Sequence, residues 1–146
     1  MQSTSNSVTI DKLIQATPQI VWNAWTKPEL ILQWFGSDPN GWGIQAAIDL
    51  HVGGKFEVSF SNSDGAEHTC SGTYRQIIEC SRLQFTWSWK SEPGVESLVS
   101  VELKPQHEFT HMKFEHTHLT GGSAHDYQLG WTSTFEKLDR LVSTMK

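Results

Sequence analysis

Cysteine is nearly missing: the 146-residue chain has two, Cys70 and Cys80. On one strand their ten-residue separation would hold them roughly 33 Å apart, far beyond disulfide reach. The economical reading is a reduced, cytoplasmic protein whose core carries no staple. Long apolar runs are missing too. The longest stretch without Asp, Glu, Lys or Arg is Leu13–Thr26, 14 residues interrupted by Pro18, too short to span a bilayer. The polar start Met1–Ser7 has neither a basic segment nor an apolar one, which reads as a chain without a secretory leader. Basic residues are few and scattered: 11 Lys and Arg against 16 Asp and Glu leave a net charge of −5. That balance argues against nucleic acid and against an anionic membrane surface as partners.

Metal and nucleophile signatures are equally sparse. No Cys-x-x-Cys or His-Glu-x-x-His spacing occurs, and Gly53-Gly54 lacks the lysine and strand-to-helix context of a phosphate loop, so it reads as a turn or bulge. Of the seven histidines, His111, His116, His118 and His125 are neighbours in sequence. His111 has the opposite strand parity to His116, so three or four ligands do not converge as zinc requires. No metal and no cofactor is expected. The two cysteines have no basic neighbours to activate a thiolate and read as small packing residues.

Aromatics are what the chain has: seven Trp, seven Phe and two Tyr. They bring large apolar area with few rotatable bonds, which suits a core or the walls of a pocket. Their spacing is informative. Val8–Ala16 reads as a strand. Thr17-Pro18 then reads as a cap and first turn, giving a short helix Gln19–Trp25. Thr26 and Glu29 have capping-box spacing, and Pro28 fits only a helix start, so a second short helix is predicted over Glu29–Phe35, ending at Gly36. From Trp42 the period becomes two. Trp42, Ile44, Ala46, Ile48 and Leu50 share one predicted face; Phe56, Val58 and Phe60 the next; Leu83, Phe85, Trp87 and Trp89 another. Val99, Val101 and Leu103 follow, with a break expected at Lys104-Pro105, and a last strand aligns Met112, Phe114, His116 and His118. Strands joined by short turns make an antiparallel meander. Beyond Gly121-Gly122, Ser123 is a candidate cap for a helix of about 22 residues. Its stripe is Tyr127, Trp131, Phe135, Leu138, Val142 and Met145. Glu136, Lys137, Asp139 and Arg140 read as its solvated face. No repeat or linker divides the chain, so 1–146 is expected to form a single α+β domain.

A long terminal helix with an aromatic stripe must lie on the concave face of a twisted sheet of six or seven strands. Contact at one end and separation at the other would leave an apolar cavity, and Phe56, Phe60, Trp87, Trp89 and Phe114 lie on the faces that would wall it. Cavities of about 300–1,000 Å³ with mostly apolar walls are typical ligand sites.

The segment Ala24-Trp25-Thr26-Lys27-Pro28-Glu29-Leu30 and then Trp34-Phe35-Gly36 resembles the opening of START-like proteins of the SRPBCC superfamily. More closely, it resembles bacterial single-domain homologues of the heat-shock-protein-90 ATPase activator. Asp49-Leu50-His51-Val52-Gly53-Gly54-Lys55-Phe56, Gly72-Thr73-Tyr74 and Arg82-Leu83-Gln84-Phe85-Thr86-Trp87 follow in the family's order. His116 matches a histidine that often ends the last strand, and Tyr127–Trp131, Leu138 and Leu141 resemble the closing helix. The likeness runs from Val8 to Val142. Glu79-Cys80 stands where relatives often carry a proline-rich turn, and His118 is an extra histidine. The resemblance implies a helix-grip fold: a curved antiparallel sheet around the C-terminal helix, with an internal cavity for apolar ligands.

These readings make Phe56, Val58, Phe60, Trp87, Trp89, Phe114, His116, His118, Tyr127, Trp131 and Phe135 the candidate cavity residues. With strand parity alone, His116 and His118 both point toward the helix. They could be buried and hydrogen-bonded, could anchor a ligand's polar group, or could transfer protons; no carboxylate faces them. Trp87, Trp89 and Trp131 could fill the space or border it, a choice that periodicity leaves open. The leading expectation is a non-enzymatic protein that binds a small hydrophobic molecule, with a stress-related role. The second is a chaperone-linked interaction module, weakened because no counterpart of the eukaryotic activator's chaperone-binding domain is present. The third, implied by the superfamily, is a cyclase or hydratase acting on polyketide-like substrates, in which the enclosure would orient the substrate and His116 would shuttle a proton. Apolar residues on the two short helices would also allow a homodimer.

Overall fold

A computed structural model describes residues 6–119 and 126–145. Seven strands, β1 (Asn6–Ile14), β2 (Trp42–Ile48), β3 (Lys55–Ser61), β4 (Glu67–Ile78), β5 (Arg82–Trp89), β6 (Ser97–Gln106) and β7 (Phe109–Leu119), form one antiparallel sheet in the order β1-β7-β6-β5-β4-β3-β2. Helices α1 (Pro18–Thr26) and α2 (Pro28–Ile31) join its two edge strands, and α3 (Tyr127–Ser143) closes the chain. The result is the α+β helix-grip architecture. Because β1 and β2 lie at opposite edges, α1 and α2 must cross the width of the sheet, and they do so on the face that α3 also covers.

Local chemistry accounts for most boundaries. Thr17 is the N-cap of α1 with Pro18 in its first turn, where the missing proline N–H costs nothing. Lys27 is extended, separating α1 from α2. The expected capping box at Thr26 does not form: the Thr26 hydroxyl donates to the Trp22 carbonyl at 2.8 Å, inside α1. Helix α2 is accordingly one turn, shorter than the Glu29–Phe35 that its spacing predicts. Strand β6 continues through Pro105, which pairs with Thr110. There β5 has already ended opposite Glu102, so the missing N–H faces no neighbouring strand. Helix α3 starts at Tyr127, where Asp126 accepts from the Leu129 amide at 3.1 Å, and has 17 residues. The expected cap Ser123 lies outside the described residues, as does His125.

Strand β2 departs from its predicted face. A register shift against β3 falls between Gly43 and Gln45. Trp42 and Ile44 are 54% and 43% exposed, and Leu50 lies outside the strand, while Ala46 and Ile48 pack on the core. A bulge on an edge strand breaks the simple alternation.

The core is aromatic. Trp25 on α1 has ring centroids of Trp34, Phe35, Phe85, Phe114, Trp131 and Phe135 within 6.5 Å. Trp34 is held by its indole N–H donating to the Ala24 carbonyl at 2.9 Å. Phe135, Leu138 and Val142, the C-terminal part of the α3 stripe, are fully buried. No helix among the described residues is long and apolar enough to cross a membrane.

Candidate ligand pocket

The N-terminal half of α3 stands off from the sheet. Between it, strands β3 to β5 and the segment after α2 lies a pocket of about 520 Å³. Its apolar walls are Phe35, Phe60, Trp87, Trp89, Tyr127 and Trp131. The strand period places Phe60, Trp87 and Trp89 there, and the helical period of four places Tyr127 and Trp131. Neighbouring rings are steeply inclined: Trp87 and Trp89 at 90° with centroids 5.3 Å apart, Trp87 and Trp131 at 62° and 5.1 Å. Edge-to-face arrangement is a favoured geometry for aromatic pairs. Trp89 donates its indole N–H to the Tyr127 hydroxyl at 2.8 Å, bridging β5 to α3 across the opening.

The lip is fastened to α3 from a distance in sequence. The Ser133 hydroxyl donates to the Ser37 carbonyl at 2.6 Å, and Lys137 donates to the Asp38 carbonyl at 3.0 Å. Lys137 is therefore a clamp, not part of a merely solvated face; burial lowers its pKa, against the opposing pull of Asp38. Asp38 in turn accepts from the Ser63 amide and hydroxyl, each at 2.8 Å. Hydrogen bonds from the Ser63 and Asn40 backbone hold its carboxyl below the usual range. Gly36 permits the bend with φ of +103°, and a Cβ there would come 2.8 Å from the Phe60 ring. Beside Trp89, Asn62 and His68 form a polar edge, with Asn62 Nδ2 3.1 Å from His68 Nε2.

The remaining sequence candidates fall elsewhere. Phe56, Val58, Phe114 and Phe135 do not line the pocket; they are buried in the core beneath it. His116 is fully buried behind Trp131. Trp131 Nε1 lies 3.0 Å from His116 Nδ1, and Ser97 Oγ lies 2.6 Å from His116 Nε2. An indole N–H can only donate, so Nδ1 accepts and the neutral ring carries its proton on Nε2, donating to Ser97. Burial drives the His116 pKa down to about 3, which keeps the ring neutral. Ser97 thus faces a protonated nitrogen rather than a free base, and the pair lacks the arrangement of an activated serine. His116 holds the Trp131 indole in place and does not itself reach the pocket.

His118 does not accompany His116 inward. Two residue steps of β1, Asn6 to Val8, span three of β7, His116 to Leu119, and His118 takes φ of +60°. That bulge turns its side chain out to an exposed position, beside a second recess of only about 10 Å³. The residues missed by sequence reasoning include Phe35, Asn62, His68, Asp126, Gly130 and Ser133. Of these, Phe35 and Gly130 carried a signal, through their places in the Trp34-Phe35-Gly36 and Tyr127–Trp131 segments. Among the described residues, no group of three His, Cys, Asp or Glu side chains could hold a metal ion.

No curated protein matches the chain significantly. Solved structures do. A crystal structure of a Chromobacterium violaceum protein is 19% identical with a TM-score of 0.85, covering 94% of this chain and 97% of that one. A Nitrosomonas europaea protein is 21% identical, TM-score 0.82, covering 95% of each chain. The solution structure of an AHSA1-like protein from Aeromonas hydrophila is 23% identical, TM-score 0.81, covering 96% of this chain and 94% of that one. At these identities the likeness establishes the fold. The family model described as "Activator of Hsp90 ATPase homolog 1-like protein" matches residues 15–143, nearly the whole described fold, and the chain belongs to that family.

Proposed function

We infer that this protein binds a small hydrophobic molecule in the pocket between α3 and the sheet. The observation that carries this reading is the pocket itself: about 520 Å³, walled by six aromatic rings and edged by a few polar groups. Its size and chemistry fall within the usual range of ligand sites. Gly130 adds support. It sits in the first turns of α3 at the pocket wall, yet a Cβ there would meet nothing nearer than Ser37 at 3.8 Å. A helix-interior glycine costs about 1 kcal/mol relative to alanine, and here it leaves the space open.

The test is a thermal-shift and tryptophan-fluorescence panel of uncharged bicyclic aromatic and alicyclic compounds. A ligand present at a hundred times its Kd adds about 2.7 kcal/mol of stability, a shift of roughly 5–15 °C for a chain of this size. In Gly130→Phe, whose ring occupies the space beside Ser37, the response disappears. A wild-type protein that responds to no compound overturns the reading.

A second reading has its own observation. Trp42, Ile44, Leu50 and Val52 are exposed along edge strand β2 and the turn after it, apolar surface of the kind that binds other proteins. With the family's description, this favours a chaperone-linked contact. Stimulation of purified Hsp90 ATPase, lost in Trp42→Ser, would support it; no stimulation would remove it.

A further inference from the structure

Resting on the pocket reading above, we propose that the preferred guest is an organic cation: a compact apolar group carrying an ammonium, taken in preference to its neutral or carboxylate counterpart. The walls argue for it first. Phe60 meets Trp89 at 70° with centroids 6.0 Å apart, Trp89 meets Trp87 at 90°, and Trp87 meets Trp131 at 62°. A guest in such a corner lies within reach of more than one indole. The ring face carries the negative part of the quadrupole, and indole is the strongest of the three aromatic partners for a cation.

The charges argue for it next. Among the described lining residues there is no lysine or arginine, and the one carboxylate is Asp126, at the mouth. A buried carboxylate guest would lose water and gain no counter-ion. The nearby α3 N-terminus would by itself favour an anion, but the Asp126 side chain already occupies that end and accepts from the Leu129 amide at 3.1 Å. Lys137 on α3 is committed to the Asp38 carbonyl. His68 Nε2 lies 3.1 Å from Asn62 Nδ2, so that ring is already engaged by a neutral amide. Among its described lining residues the site therefore offers π faces and one carboxylate, with no lysine or arginine to pair an anion.

The test uses three naphthyl probes of similar size: 2-naphthylmethylammonium, 2-naphthylmethanol and 2-naphthylacetate, titrated by tryptophan fluorescence at pH 8 and low salt. The ammonium is expected to bind about tenfold tighter than the alcohol, and the carboxylate weakest. In Asp126→Asn the amide oxygen keeps the helix cap. Ammonium affinity there falls roughly threefold, as expected for one exposed charge, while alcohol affinity stays. In Trp89→Leu, which keeps apolar area and removes a π face, the ammonium loses more than the alcohol. An alcohol that binds as tightly as the ammonium, or a carboxylate that binds best, overturns the cation preference and leaves the pocket reading standing. If none of the three binds, both fall.

Discussion

Acid pH is the sharpest probe of the buried network, because His116 must stay neutral for it to exist. Its Nδ1 accepts from Trp131 and its Nε2 donates to Ser97, and burial lowers its pKa from 6.5 to about 3. In the folded chain the ring remains neutral down to about pH 3; in the unfolded chain it takes up a proton near 6.5. Between those values the unfolded state binds more protons, so stability falls as the pH drops through 6.5 and stops changing on this residue's account below 3. The full gap corresponds to about 5 kcal/mol, and by pH 4.5 about half of it has been lost. Against a typical 5–15 kcal/mol for a whole domain, that is a large share. Urea denaturation followed by tryptophan fluorescence, from pH 7.5 to 4.5, measures it.

The control is His116→Gln, which cannot titrate. It is expected to be less stable than wild type at pH 7.5, by about 1–3 kcal/mol for the disturbed buried bonds. The difference shrinks as the pH falls and approaches zero or reverses by 4.5, while the other six histidines contribute equally to both proteins and cancel. A gap that stays constant with pH refutes the reasoning. If the variant does not fold, imidazole nitrogen shifts of the wild type decide: the proton on Nε2, unchanged at pH 5, is expected, and a doubly protonated ring there would contradict it.

Other substitutions test neighbouring parts of the structure. Ser97→Ala strands the His116 Nε2 proton and should cost about 1–3 kcal/mol, with the Trp131 fluorescence maximum moving. Gly130→Ala should stabilise by about 0.5–1 kcal/mol, since the nearest atom to the new Cβ is 3.8 Å away; destabilisation would mean that the lip presses closer on α3. Phe114→Ala should cost about 3–5 kcal/mol, because that ring lies fully buried between Trp131 and Phe135. With a disulfide thiol reagent at pH 8, native protein should label at half-buried Cys80 alone. Cys70 is fully buried and desolvation pushes its thiol pKa far up, so it should react only after unfolding.

What could be read from the sequence follows its regular elements. Trp87 and Trp131 meet because a period of two on β5 and of nearly four on α3 each place one indole on the shared face. Phe60, Trp89 and Tyr127 follow for the same reason. Phe35 does not follow, because it lies after the single turn of α2 and its position depends on Ser133 holding Ser37, 96 residues away. His118 shares parity with His116, yet one left-handed residue in β7 reverses it. Trp42 obeys the alternation of β2 until the bulge at Gly43 intervenes. Periodicity reports which face a residue takes inside an element. Bulges and clamps between distant loops belong to the assembled shape.

That distinction also explains why the helix both seals and opens the fold. Along the C-terminal half of α3, Phe135, Leu138 and Val142 are fully buried, and the seam there is dry. Along the N-terminal half the stripe consists of Tyr127 and Trp131, with Leu129 67% exposed beside them. Two of the wall rings are tied: Trp131 to His116, Trp89 to Tyr127. These bonds fix the walls at their separation before any guest arrives. A pocket prepared in this way would lose little conformational entropy on taking the proposed guest, so that guest could be small and still be held.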